Sequence, residues 1–240
     1  MARPRLAAKT PGGSPPHAIG AQRNFDEARV VGFALSLDVR EHMSSVFRID
    51  QNAQDLLFHA ARTANTFSSD PVSAEQIRAL YDLIRWAPTS MNTQPLRMVL
   101  AQSPEARERL LTHMSDGNRA KTASAPLVAI LAADVNFHEH LPRLVPYNPK
   151  AKDNFADDEK REKFARNQAW LQAGYFILGV RALGLAAGPM SGFDAAGVDA
   201  DLLAGTSLRS FVIVNIGKPG ENAWMDRLPR LDYEEVVTTL

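Results

Sequence analysis

Cysteine is missing from all 240 residues, which excludes disulfides, thiolate nucleophiles and cysteine-bound zinc or iron–sulfur centres. Net charge is missing too: Lys+Arg and Asp+Glu each number 27, so there is no surplus of cations to hold nucleic acid or an anionic membrane. No apolar run reaches the ~18 residues that a membrane span needs. The chain has no G-x-S-x-G, no Walker loop and no G-x-G-x-x-G after a strand pattern. Ser191 stands beside a glycine in "GPMSGFD" without a placed base, so it is not read as a nucleophile. His138 and His140 flank Glu139 with no third ligand in view, and the pair reads as a solvated loop rather than a zinc site. What is present is 45% hydrophobic and 22% charged, the balance of a globular chain with a sizeable core. The expected partner is a small molecule or another protein, with no nucleic acid and no membrane, in a reducing cytoplasm.

Composition shifts near residue 43. Residues 1–42 join a Pro/Gly/basic stretch to the apolar "VVGFALSL" without helix caps. The apolar patch starts near residue 30 and is followed by "DVREH", where a secretory signal needs small residues. The segment is expected to be a disordered or non-native extension, with one domain over 43–240 and Met43 as an alternative start.

From residue 50 the pattern alternates helices and strands. "DQNAQDLLFHAARTA" (50–64) is helix-like. "SAEQIRALYDLIRWA" opens on a capping box, Ser73 to Gln76, and sets Ile77, Leu80, Tyr81 and Ile84 at helical spacing until Pro88 stops it. "RMVLA" (97–101) predicts a strand, and "SPEARERLLTHM" (103–114) a helix with Pro104 in its first turn. "APLVAILAAD" (125–134) predicts a buried strand. "DDEKREK" (157–163) reads as a solvated helix start with i,i+4 ion pairs. Residues 162–188 predict a helix of six or seven turns, apolar nearly all round from Trp170 to Leu185 and ending at glycine. "DAAGVDADLLA" predicts a short helix, "SLRSFVIVNIG" (207–217) a central strand, and "DYEEVVTTL" a last strand.

Four polar turns remain, each at the end of an element: "ARTANTF" (61–67), "PTSMNTQP" (88–95), "GPMSGFD" (188–194) and "RLPRLDYEEVV" (227–237). An ordinary turn needs one or two short polar side chains, and 88–95 holds five. In this order and separation the four resemble the flavin-dependent nitroreductase family, over roughly residues 50–240. Within the family they are most similar to NAD(P)H nitroreductases and to malonic semialdehyde reductases.

The resemblance implies an α+β nitroreductase-like fold, a central mostly antiparallel sheet flanked by helices, in an intertwined homodimer holding FMN between subunits. On the family pattern Arg62 and Thr63 contact the phosphate, and Asn65 stands where a second arginine is usual. Pro88, Thr89, Ser90, Asn92 and Gln94 reach the ribityl chain and ring edge of a flavin held mainly by the other subunit. Pro189, Met190, Ser191 and Gly192, followed by Phe193, bring backbone N–H groups to N5 and O4 of the ring. Arg230, with Arg227 nearby, supplies phosphate cations. The implied chemistry is ping-pong hydride transfer from NADH or NADPH through flavin N5 to a small acceptor, with no catalytic side chain or metal. Malonic semialdehyde, giving 3-hydroxypropionate, is the expected acceptor. Nitroaromatics and quinones are the alternative, as is a flavin-binding or flavin-fragmenting protein without turnover.

Overall fold

A computed structural model describes residues 46–240. The expected 1–42 extension and the alternative start at Met43 lie outside the described residues. Contacts divide the chain into Met1–Gln51 and Asn52–Leu240, and the sheet, its helices and the sites below belong to the second unit.

Four strands build one sheet: β1 (Leu96–Ala101), β2 (Leu127–Asp134), β3 (Ala186–Met190) and β4 (Leu208–Gly217). Their order is β1-β2-β4-β3, and every neighbouring pair is antiparallel. All eight residues of β2 are buried, because both faces of this inner strand are covered. That is why it reads as an unbroken apolar run instead of alternating. On one face Leu127, Ala129, Leu131, Val212, Val214 and Ile216 join the larger core. The intervening Val128, Ile130, Ala132 and Ile213 join a second core on the other face.

Helices α1 (Ala74–Ile84) and α4 (Asp158–Ala182) cover the first face. The expected capping box of α1 forms: Ser73 Oγ accepts from Gln76 N at 3.1 Å, and Ser73 N donates to Gln76 Oε1 at 2.9 Å. α1 and α4 meet at Gly179, where a Cβ would lie 2.5 Å from Ile84 Cγ2 and 2.6 Å from Leu80 Cδ1. Helices α2 (Pro104–Thr112), α3 (Asp116–Ser124) and α5 (Ala195–Asp201) cover the second face, with Leu110, Met114 and Val198 in its core.

Several expectations are corrected. The long helix runs 158–182, not 162–188. It starts on Asp157, whose side chain accepts from Lys160 N at 3.0 Å, and stops before Gly184 at φ +73°. Residues 186–190 are a strand, because β4 offers them a ladder. α4 is apolar on more than its core face but is not buried all round in the single chain: Ala165, Ala169, Ala173, Phe176 and Val180 face the core, while Trp170, Leu171 and Tyr175 stay exposed. Its charged start forms i,i+3 pairs, Lys160 with Asp157 and Arg161 with Asp158. Arg161 is far from solvated, because it turns inward to donate to the carbonyls of Val135 and Phe155. The stretch 50–64 yields only the turn Gln51–Gln54 and a π-helical turn, Asp55–His59. The C-terminal strand is absent; Tyr233–Val236 is a single helical turn, with Asp232 N donating to the Glu235 carboxylate at 2.9 Å.

Candidate active site

Segments 61–68 and 218–225 are zipped together, which decides where the first and fourth polar turns meet. Asn65 N donates to Ala223 O, Ser68 N to Lys218 O and Gly220 N to Thr66 O, at 2.9 to 3.0 Å. Thr66 Oγ1 adds a bond to Glu221 O at 2.6 Å. Beyond the zipper, Arg62, Thr63, Asn65, Asp226, Arg227 and Arg230 line one cavity of about 300 Å³. Arg62 donates to Met225 O, Arg227 to the carbonyls of His59 and Ala61, and Arg230 to those of Leu228 and Pro229. None of the three is ion-paired with a carboxylate among the described residues. Arg181, at the end of α4, adds to this field; burial, and then neighbouring Arg227, push its guanidinium below the usual arginine pKa. Three guanidiniums without an ion-pair partner, against the single carboxylate of Asp226, give an opening that fits a phosphate dianion, since charge-assisted bonds are the strong ones. The Asn65 side chain lies within 3.5 Å of Ala223 O and Thr63 O, so this residue ties the rim together where a second arginine was absent.

The second polar turn is built differently. Met91, Asn92 and Gln94 all have positive φ, at 53°, 52° and 44°. Non-glycine residues adopt that conformation only where their surroundings over-determine it. Here α4 does so: Gln168 Oε1 accepts from Ser90 N at 2.8 Å and Gln172 Oε1 from Leu96 N at 3.0 Å, one clamp at each end of the loop. Inside the loop Thr89 Oγ1 accepts from Gln94 N, Gln94 donates to Asn92 Oδ1 at 2.6 Å, and Asn92 donates to Leu144 O. Thr89, Asn92 and Gln94 therefore hold the loop's own shape. Neither glutamine of α4 was singled out in the sequence, where both sit among core-spaced residues.

Gln94 also lines a second cavity, of about 420 Å³, with Tyr81, Arg85, Arg97, His140, Arg143 and Gln172 among its walls. Arg97 reaches Asp134 at 2.6 Å, and His140 lies 3.7 Å from the same carboxylate. Arg143 has no carboxylate partner among the described residues. This cavity shares no lining residue with the arginine-lined one, so within a single chain the second turn is not joined to the first and fourth.

In the third turn Pro189 and Met190 end β3, Ser191 is exposed and Gly192 is half-buried. A Cβ on Gly192 would lie 2.6 Å from Asn118 Nδ2 and 2.8 Å from Ser115 Oγ, so glycine here is required first by packing against α3.

A four-stranded antiparallel sheet between helix layers, with an arginine-lined opening at the ends of its flanking segments, now stands beside a family match: the nitroreductase family model covers residues 59–218. The chain belongs to the nitroreductase family. A Streptomyces griseus protein described provisionally as an NADH dehydrogenase/NAD(P)H nitroreductase is 57% identical over 193 residues, 80% of this chain and 98% of that one. A Bacillus subtilis nitroreductase structure superposes with a TM-score of 0.67 at 22% identity, over 77% of this chain and 97% of that one. The NADPH:FMN oxidoreductase of Vibrio harveyi, solved with NAD+, gives 0.63 at 22% identity, over 79% and 77%. At such identities the two structures speak for the nitroreductase fold alone. Family membership makes the protein an FMN-dependent NAD(P)H oxidoreductase.

Proposed function

We propose that the protein works as an intertwined homodimer with FMN sites shared between chains, reducing a small carboxylate-bearing aldehyde. Malonic semialdehyde, reduced to 3-hydroxypropionate, is the leading candidate. The observation that carries the reading is the unpaired trio Arg62, Arg227 and Arg230 at one opening. Those arginines hold the phosphate, and the turn at Ser191 and Gly192 faces the flavin ring. Thr63, Asn65 and the partner's copy of residues 88–94 complete the cradle. Bound FMN supplies the redox chemistry, accepting hydride from NADH or NADPH and passing it on. Side chains need only bind and orient.

A shared site is supported by what a single chain leaves wet. Trp170, Leu171 and Tyr175 are each more than two-fifths exposed on α4, and Trp224, Met225, Leu228 and Leu231 are exposed on the C-terminal segment. Apolar surface on that scale marks an interface. The loop 88–95 opens on a cavity distinct from the arginine-lined one, as a loop serving the other subunit's flavin would. The acceptor's carboxylate is supported by Arg143 in that cavity, which pairs with no carboxylate among the described residues, whereas Arg85 beside it already meets Asp82 at 3.8 Å.

No helix among the described residues is long and apolar enough to cross a membrane, and the site of action is proposed to be cytoplasmic. The test is spectroscopic. Purified protein loaded with FMN is expected to bleach anaerobically on adding NADH or NADPH. It should recolour faster with malonic semialdehyde than with a nitroaromatic or a quinone. Faster recolouring by the latter two would move the acceptor to the nitroaromatic and quinone class, and failure to bleach would overturn the oxidoreductase reading.

A further inference from the structure

The turn after β3 leaves two backbone donors free and holds its carbonyl unusually hard. Among the described residues neither Ser191 N nor Gly192 N donates to any acceptor, whereas Phe193 N donates to Ser191 O at 3.1 Å and Asp194 N to His113 O at 2.8 Å. Gly192 O accepts three bonds: from Ser115 Oγ at 2.7 Å, Ser115 N at 3.2 Å and Asn118 Nδ2 at 2.9 Å. Asn118 Nδ2 also reaches Ser115 Oγ at 3.1 Å, joining the two donors.

Ser115 occupies the N-cap of α3, yet its side chain makes no cap bond. Ser73 and Ser103 hold the same position on α1 and α2, and both cap their helices. A serine at the N-cap normally caps its own helix, so here the hydroxyl is diverted to the turn. Behind it a polar file runs inward: Thr122 Oγ1 donates to Asn118 O at 2.9 Å, and Asn215 Nδ2 lies 3.4 Å from Thr122 Oγ1. Asn215 is fully buried on β4, so the file is anchored in the rigid centre of the sheet.

We propose that Ser115 and Asn118 are positioning residues, which lock the 191–193 turn so that its two free N–H groups face the reacting edge of the flavin ring. This rests on the flavin site described under Proposed function. The clamp fixes the Gly192–Phe193 peptide plane; its N–H returns to Ser191 O and so ties the Ser191–Gly192 plane that carries Gly192 N–H, while Ser191 N–H follows Met190, paired with Ile213 in the sheet, so both donors are oriented before any ligand arrives. A donor at O4 favours the reduced ring, which is richer in electrons than the oxidised one, and a donor at the N5 edge would hold that edge in place for hydride. Loosening the clamp therefore makes the flavin harder to reduce, while the phosphate, gripped elsewhere, stays bound.

The experiment uses the FMN-loaded full chain with Ser115→Ala, Asn118→Ala, the double variant and Ser115→Thr. FMN affinity is read by fluorescence titration and the midpoint potential by anaerobic dye-equilibrated titration. The double variant should bind FMN within about threefold of the parent, yet disfavour reduction by about tenfold, which is about 30 mV for a two-electron couple. Each single variant should shift in the same direction by less, which keeps the result readable if the double fails to fold, and Ser115→Thr should restore the parent value. Unchanged potentials in variants that keep FMN overturn the clamp and leave the flavin site standing. A parent chain that takes up no FMN overturns both.

Discussion

Arg227 and Arg230 look interchangeable in the sequence, three positions apart in a polar tail. The structure separates them: Arg227 reaches back to the carbonyls of His59 and Ala61, whereas Arg230 bonds only the adjacent Leu228 and Pro229 carbonyls. Arg227 thus spends its donors on holding the rim, and Arg230 is the more available cation. A charge-assisted hydrogen bond contributes about 1.5–3 kcal/mol, so Arg230→Ala should weaken FMN binding by about tenfold to a hundredfold. Arg227→Ala should weaken it less while lowering the melting temperature of the chain without flavin. Fluorescence titration of both variants checks the ranking, and equal affinities would remove Arg230 from the phosphate site. The candidate site was drawn from residue type and order, through its arginines, its short polar residues and Gly192. What was not legible is the partner of each: Gln168 and Gln172 sit more than seventy residues from the backbone groups they clamp.

The elements show the same division. α1 declares itself through its cap and stripe, and β2 and β4 through runs of β-branched and aliphatic residues. β3 does not, because Ala186 and Ala187 continue the helical pattern of α4 and only the neighbouring β4 makes them a strand, the usual tertiary override of propensity. α3 offers no apolar stripe to read, with Thr122 its one buried residue. Gly179 is where α1 and α4 touch. Gly179→Ala gains up to about 1 kcal/mol of helix propensity but pushes a methyl into Leu80 and Ile84, and overpacking costs about 1–3 kcal/mol. A net loss is expected in urea unfolding, and a net gain would show that the contact yields easily. α2 and α5 are joined by Asp201, which Arg109 meets at 2.6 Å and His113 at 3.1 Å. Arg109 first and His113 second hold the Asp201 carboxyl below its ordinary pKa. A lowered carboxylate contributes stability above its unfolded pKa, about 3.9, and loses it as pH falls through the folded value. The stability difference between the parent and Asp201→Asn should therefore persist at about pH 5 and shrink on further acidification. Urea melts across that range check it, and an undiminished difference at about pH 2 would contradict the assignment.

At the scale of the molecule, the charge balance and the lack of cysteine excluded whole classes of function before any element was placed. The lack of a catalytic motif in the sequence fits a chemistry carried by the cofactor. The C-terminal segment was misread as a strand because its valines and threonines match one by composition. Instead every residue from 221 onward but the buried Ala223 is exposed, and under the proposed dimer the surface that covers this segment is the partner's. If the dimer and the flavin site are one structure, dimerisation and FMN binding are linked by mass action, so each strengthens the other and a monomer cannot hold FMN. Gly174 offers the most direct test. It lies exposed on α4 between Leu171 and Tyr175, and nothing stands within 4 Å of where its Cβ would be, so an arginine there fits the isolated chain and is obstructive only at an interface. Gly174→Arg, run on size-exclusion chromatography with absorbance read at the protein and flavin bands, should elute as a folded monomer without FMN. A monomer that still carries stoichiometric FMN would contradict the shared site.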